Sequence, residues 1–135
     1  MDTKFNSRPR SPRARPLVLL ADGHDDTREL YAVALASFGF QTITDDGAQV
    51  LARVSEARPD IIVTDISLPR QDGWSLVGQL KRDRRTRNIP IVVLTGYAEP
   101  SVRERANREG CAAFLTKPYL PEELARALRE LLGNA

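Results

Sequence analysis

From residue 17 onward the chain alternates short strand-like runs, most of them continuously apolar, with apolar stripes at helical spacing. The runs LVLLA (17–21), FQTIT (40–44), DIIVT (60–64), IPIVVLT (89–95) and CAAFLT (111–116) have the length and character of strands. After the first, DDTRELYAVALASFG (25–39) predicts a helix whose Leu30, Val33, Ala34 and Phe38 share a face. Asp26 reads as its N-cap and Gly39 as its end. GAQVLARVSEARP (47–59) predicts a second helix with Val50, Leu51 and Val54 inward, stopped before Pro59. A third spans about 72–82 with Trp74, Val77 and Leu80 as its stripe, and a short polar fourth lies near 101–108. PEELARALRELLG (121–133) closes the series, opened by Pro121 and ended by Gly133. Five strand-then-helix units with short connections predict an α/β fold, a doubly wound parallel sheet covered by helices on both faces.

Composition narrows the picture. A length of 135 residues suits one domain, residues 17–133, with a core that needs no metal or disulfide. The single cysteine, Cys111, excludes an internal disulfide framework, fits a reducing cytoplasmic setting and reads as a small inert residue. No apolar run is long enough to cross a membrane, and the start lacks an apolar signal segment.

The formal net charge of +2 is unevenly placed. Residues 1–16 carry Lys4, Arg8, Arg10, Arg13 and Arg15 against Asp2, a net of +4, while the remaining chain has 15 basic and 17 acidic residues. The Pro- and Arg-rich leader has too little apolar surface to offset the entropy of ordering and is expected to be disordered. Its plain reading is a solubilising leader, with contact to a polyanion or a partner as the alternative, including weak, salt-sensitive nucleic-acid binding.

The candidate chemistry lies at the ends of the strands. The first run ends at Asp22, the third at Asp65, the fourth at Thr95 and the fifth at Lys117. In a parallel sheet these tips share one edge, where open α/β folds bind ligands. One polar residue there is ordinary capping, but two carboxylates, a hydroxyl and an ammonium group together make a site. Paired carboxylates call for a cation, and an oxygen-rich set suits Mg²⁺. A central carboxylate can act as nucleophile while lysine and hydroxyl hold the anion formed on it.

The segments LVLLADGHDDTREL, IIVTDISLPRQDGW, IVVLTG and FLTKP, in this order, resemble the response-regulator receiver domain of two-component signalling over about residues 17–132. The resemblance implies a flavodoxin-like five-stranded parallel sheet in the order 2-1-3-4-5. It implies that Asp65 accepts a phosphoryl group from a histidine kinase or histidine phosphotransfer protein, with Thr95 on the phosphoryl oxygens and Lys117 paired to the acyl phosphate. Mg²⁺ would be held by Asp22, Asp65 and the backbone carbonyl of Ser67, with Thr95 and the aromatic Phe114 as switch residues. Lys117 precedes Pro118, which in this family often follows a cis bond. Catalysis would be limited to the domain's own phosphorylation and dephosphorylation. Its output would be a protein target bound through the fourth helix, fifth strand and fifth helix, with a homodimer as a further partner class.

One departure stands out. The family usually has two adjacent acids after the first strand, and here Gly23 follows Asp22. Its missing carboxylate implies weakened Mg²⁺ binding, which Gly23→Asp is expected to restore. For the neighbouring His24, a solvated loop role, metal ligation and tuning of the pocket's charge all stay open. Two other readings compete with the phosphoacceptor. A degenerate receiver would bind partners independently of phosphorylation. An aspartyl-phosphate hydrolase would need an acid at Ser67.

Overall fold

The computed structural model describes residues 13–133. The expected disorder of the leader falls mainly on residues 1–12, outside the described residues. Arg13 and Arg15 are engaged: Arg13 reaches Asp60 (3.2 Å) and the Ala57 carbonyl (2.8 Å), and Arg15 donates to the Ala36 carbonyl (2.8 Å).

Strands β1 (Leu17–Ala21), β2 (Gln41–Asp45), β3 (Ile61–Thr64), β4 (Ile91–Thr95) and β5 (Ala113–Thr116) alternate with helices α1 (Asp25–Ser37), α2 (Val50–Ala57), α3 (Gly73–Arg82), α4 (Pro100–Arg108) and α5 (Pro121–Leu131). All strand pairs are parallel, in the order β2-β1-β3-β4-β5. Successive side chains leave a strand on opposite faces. Val18, Leu20, Ile61 and Val63 therefore pack with Tyr31 and Leu35 of α1 and Leu124 and Leu128 of α5. Leu19, Ala21 and Ile62 meet Val50 and Val54 of α2 and Leu76, Val77 and Leu80 of α3. Burial on both sides explains the continuous apolar runs of β1, β3 and β4, while the edge strands β2 and β5 are partly exposed. Each fully buried aliphatic side chain contributes about 1.5–3 kcal/mol.

Helix α1 departs from expectation. It buries Tyr31 and Leu35, whereas Leu30, Val33 and Phe38 are 58%, 65% and 40% exposed. The helix is apolar on more than one side, and α5 selects the stripe that packs: the Tyr31 hydroxyl donates to the Tyr119 carbonyl just before α5 begins. The N-cap is His24 rather than Asp26, because Asp25 is already helical. At α3 the cap is conventional, the Asp72 carboxylate accepting from the Trp74 backbone N–H.

Candidate functional site

The topology brings the carboxyl ends of all strands to one edge. Ala21 accepts from the Asp65 backbone N–H (3.0 Å), and the Thr95 carbonyl from that of Lys117 (2.8 Å), so the four tips stand side by side. Asp22 and Asp65 are only 3% and 4% exposed, and Thr95 is buried. Lys117 reaches between the two acids, its Nζ lying 2.6 Å from Asp22 Oδ2 and 2.9 Å from Asp65 Oδ2. The Lys117–Pro118 peptide is cis, as the resemblance implied. Burial alone would lower the lysine pKa, but the hydrogen bonds to both carboxylates outweigh it and hold it above its ordinary value. The ammonium thus serves as a fixed cation for two buried anions.

The remaining oxygens are oriented by the backbone. Asp65 Oδ1 accepts from the Ser67 N–H (3.0 Å), and Asp22 Oδ1 from the His24 N–H (2.8 Å). The His24 ring lies 3.3 Å from the same Asp22 oxygen with its side chain largely in solvent. Arg28, reaching back from α1, donates to the Asp22 carbonyl (2.7 Å) and to Asp25 (2.6 Å). Above the site, a Cβ at Gly96 would meet nothing within 4 Å, leaving open the approach that Tyr97, half exposed, flanks. Phe114 is half buried and stacks under the Arg103 guanidinium, 4.7 Å from its centroid. Trp74 packs beside the core of its sheet face and under Arg105 (5.0 Å). Cys111 is partly buried, and desolvation pushes its thiol up to about 11, so it stays protonated and unreactive at neutral pH.

Two residues at this edge were not singled out in the sequence. Asp45 ends β2 just as the other acids end their strands, and that position was the available signal. Its carboxylate is fully committed, however, accepting from the Gly47 and Gln49 N–H groups (2.8 and 3.0 Å) and from Arg53 Nε (2.9 Å). Desolvation opposes its ionisation, but these donors prevail and lower its pKa. The second is Pro69, whose ring closes over Gly23: a Cβ there would stand 2.6 Å from Pro69 Cδ.

For a metal, the donor set is hard and small. No group of three His, Cys, Asp or Glu side chains able to hold a metal exists among the described residues. Asp22 and Asp65 remain, two carboxylates against one ammonium. That set fits Mg²⁺, which binds through one or two carboxylates and otherwise keeps water or carbonyl oxygens.

The response regulator receiver domain model matches residues 18–129. The chain belongs to that family. Among curated relatives, this receiver is 30% identical over 119 residues to the polar-differentiation response regulator DivK of Brucella anthropi, covering 87% of this chain and 97% of that protein. It is also 30% identical over 118 residues to hybrid signal transduction histidine kinase D of Dictyostelium discoideum, but spans only 8% of that protein. Among solved structures, the receiver domain of sensor histidine kinase PA1611 from Pseudomonas aeruginosa, which has a magnesium ion coordinated in its active-site cleft, superposes with a TM-score of 0.80. The two are 29% identical, and the match covers 89% of this chain and 99% of that one. The function of such a domain is to accept a phosphoryl group and thereby regulate a partner-binding surface. No helix among the described residues is long and apolar enough to cross a membrane.

Proposed function

We propose that Asp65 is the phosphoacceptor of this receiver, and the observation that carries the proposal is the shared Lys117 ammonium between Asp22 and Asp65. A carboxylate oxygen of Asp65 attacks the phosphorus of a phosphohistidine on a histidine kinase or phosphotransfer protein. The P–N bond breaks as the new P–O bond forms, and the electron pair leaves with the imidazole. Lys117 then pairs with the added negative charge instead of sharing itself between two carboxylates. Thr95, at the adjacent strand tip, supplies a hydroxyl for the phosphoryl oxygens. Phosphoryl transfer depends on such positioning and neutralisation more than on proton transfer. Asp22, Asp65 and the Ser67 carbonyl would hold Mg²⁺, which supplies positive charge to the transferring group. The related PA1611 receiver holds magnesium in its cleft, and the carboxylate pair here supports the same ion.

The output follows from Phe114. Its ring packs beneath Arg103 of α4, so any rearrangement of Thr95 and β5 is felt on the α4–β5–α5 surface that a downstream protein reads. The exposed Leu30 and Val33 on α1, the helix that begins at the site edge, offer the phosphodonor protein an apolar contact.

Intact-protein mass spectrometry after incubation with acetyl phosphate and Mg²⁺ tests the assignment. The wild-type chain gains the mass of one phosphoryl group and Asp65→Asn gains none. Absence of the adduct from wild type, beside a competent control receiver, refutes it.

A further inference from the structure

The edge of the sheet opposite Asp65 carries a second recess, a cleft of about 530 Å³ between the ends of α2 and α3 and the loop into β4. Its size lies within the range of small-molecule sites. Its floor is apolar, formed by Leu51, Val54, Leu80 and Ile89, while Ser55, Gln79 and Thr86 add polar groups. Arg58, Arg82 and Arg85 line the rim. Arg85 is held by Asp83 through two contacts of 3.2 and 3.0 Å. The Arg58 and Arg82 guanidiniums make no hydrogen bond or ion pair among the described residues.

Two further features set this edge apart. Arg58 caps α2 with φ of 51°, the left-handed region that favours glycine, so a large cationic side chain stands where a bare backbone would be easier. Residues 81–87 hold Lys81, Arg82, Arg84, Arg85 and Arg87 against Asp83 alone, in a domain otherwise rich in acid. Positive potential is concentrated at one edge and negative groups at the other.

We propose that this cleft binds a small phosphate monoester bearing an aromatic or heterocyclic group, of which a nucleoside monophosphate is the type. Two unpaired guanidiniums match a phosphate dianion in charge, and Arg82, whose guanidinium lies over Gly78 of α3, swings toward the cleft to bring its planar fork to the phosphate oxygens. The apolar floor takes the ring, and the lining adds the Ser55 hydroxyl and the amide of Gln79, which here donates to Ser75 (3.3 Å). A nucleic-acid duplex would satisfy the cations but offer its backbone, and not an apolar ring, to the floor.

Calorimetric titration of the full chain with phenyl phosphate, AMP, inorganic phosphate and a short DNA duplex decides it. Phenyl phosphate and AMP bind about tenfold more tightly than inorganic phosphate, the equivalent of about 1.4 kcal/mol. Arg82→Ala and Arg58→Gly each weaken them by about tenfold, the loss of a charge-assisted contact. Arg58→Gly also melts no lower than wild type, because glycine suits the left-handed backbone. Asp65→Asn binds both as wild type does, which separates this cleft from the phosphoacceptor site. Unchanged affinity in both arginine variants, or equal affinity for inorganic phosphate, overturns the proposal. Tighter duplex binding that depends on Lys81, Arg84 and Arg87 and not on Arg58 also overturns it, in favour of a polyanion surface.

Discussion

A Cβ on Gly23 would stand 2.6 Å from Cδ of Pro69 and 3.2 Å from its Cγ. A side chain at Gly23 therefore meets the proline ring of the loop after β3, and one of the two must shift before it fits. Gly23→Asp restores a metal ligand, as the sequence suggested, only where the Pro69 loop yields. It forces the Pro69 loop outward, with destabilisation of about 1–3 kcal/mol as for other overpacked sites. Gly23→Asp with Pro69→Ala removes the obstruction and tightens Mg²⁺ binding by about tenfold. The four proteins of this cycle show a coupling of about 0.5–3 kcal/mol. Calorimetric Mg²⁺ titration and urea unfolding measure both quantities. Tight Mg²⁺ binding by the single variant at full stability would show that Pro69 imposes no barrier.

Lys117→Ala leaves Asp22 and Asp65 facing one another without a counter-charge, both nearly excluded from solvent. Removing one partner of a buried ionic cluster costs about 3–5 kcal/mol. Millimolar Mg²⁺ recovers part of this loss in the variant and changes the wild type less, because the cation's seat is then open. Thermal melts with and without Mg²⁺ read the difference. Equal Mg²⁺ responses in the two proteins would mean that Lys117 and the metal do not serve the same charges.

The exposed α1 stripe separates donor docking from chemistry. Leu30→Arg and Val33→Arg lie on the surface and should fold normally. With a phosphorylated kinase or phosphotransfer protein as donor, they lower transfer efficiency by about tenfold, as expected for an interface anchor. With acetyl phosphate the rate stays within about twofold, because the reacting groups are untouched. Equal losses with both donors would place the effect on the site itself.

Much of the site was legible because strand tips are readable: Asp22, Asp65, Thr95 and Lys117 each end an unbroken apolar run, and a parallel sheet brings such ends together. The α1 face was not legible. Leu30, Tyr31, Val33, Ala34 and Leu35 form overlapping stripes, and α5 on the neighbouring flank decides which one is buried. Nor does Gly23 reveal its constraint, since Pro69 comes from a loop distant in sequence. The free arginines at the opposite edge escaped notice because their grouping with Leu51 and Val54 exists only after α2 and α3 pack.

Asp45 supplies the pH dependence. Its carboxyl is lowered from the ordinary 3.8 because the Gln49 and Gly47 N–H groups and Arg53 outweigh the cost of its burial. A depressed folded value means that folding favours the ionised form, so the stabilisation is complete above pH 3.8 and lost as pH falls through the lowered value. Asp45→Asn removes the charge and turns an amide nitrogen toward at least one donor. At neutral pH this costs about 1–3 kcal/mol, the penalty for a broken buried bond to a charged group. Urea unfolding along a descending pH series shows wild type and variant converging below the ordinary carboxylate range. A stability gap that stays constant into strong acid would mean that Asp45 acts through shape alone, with no contribution from its charge.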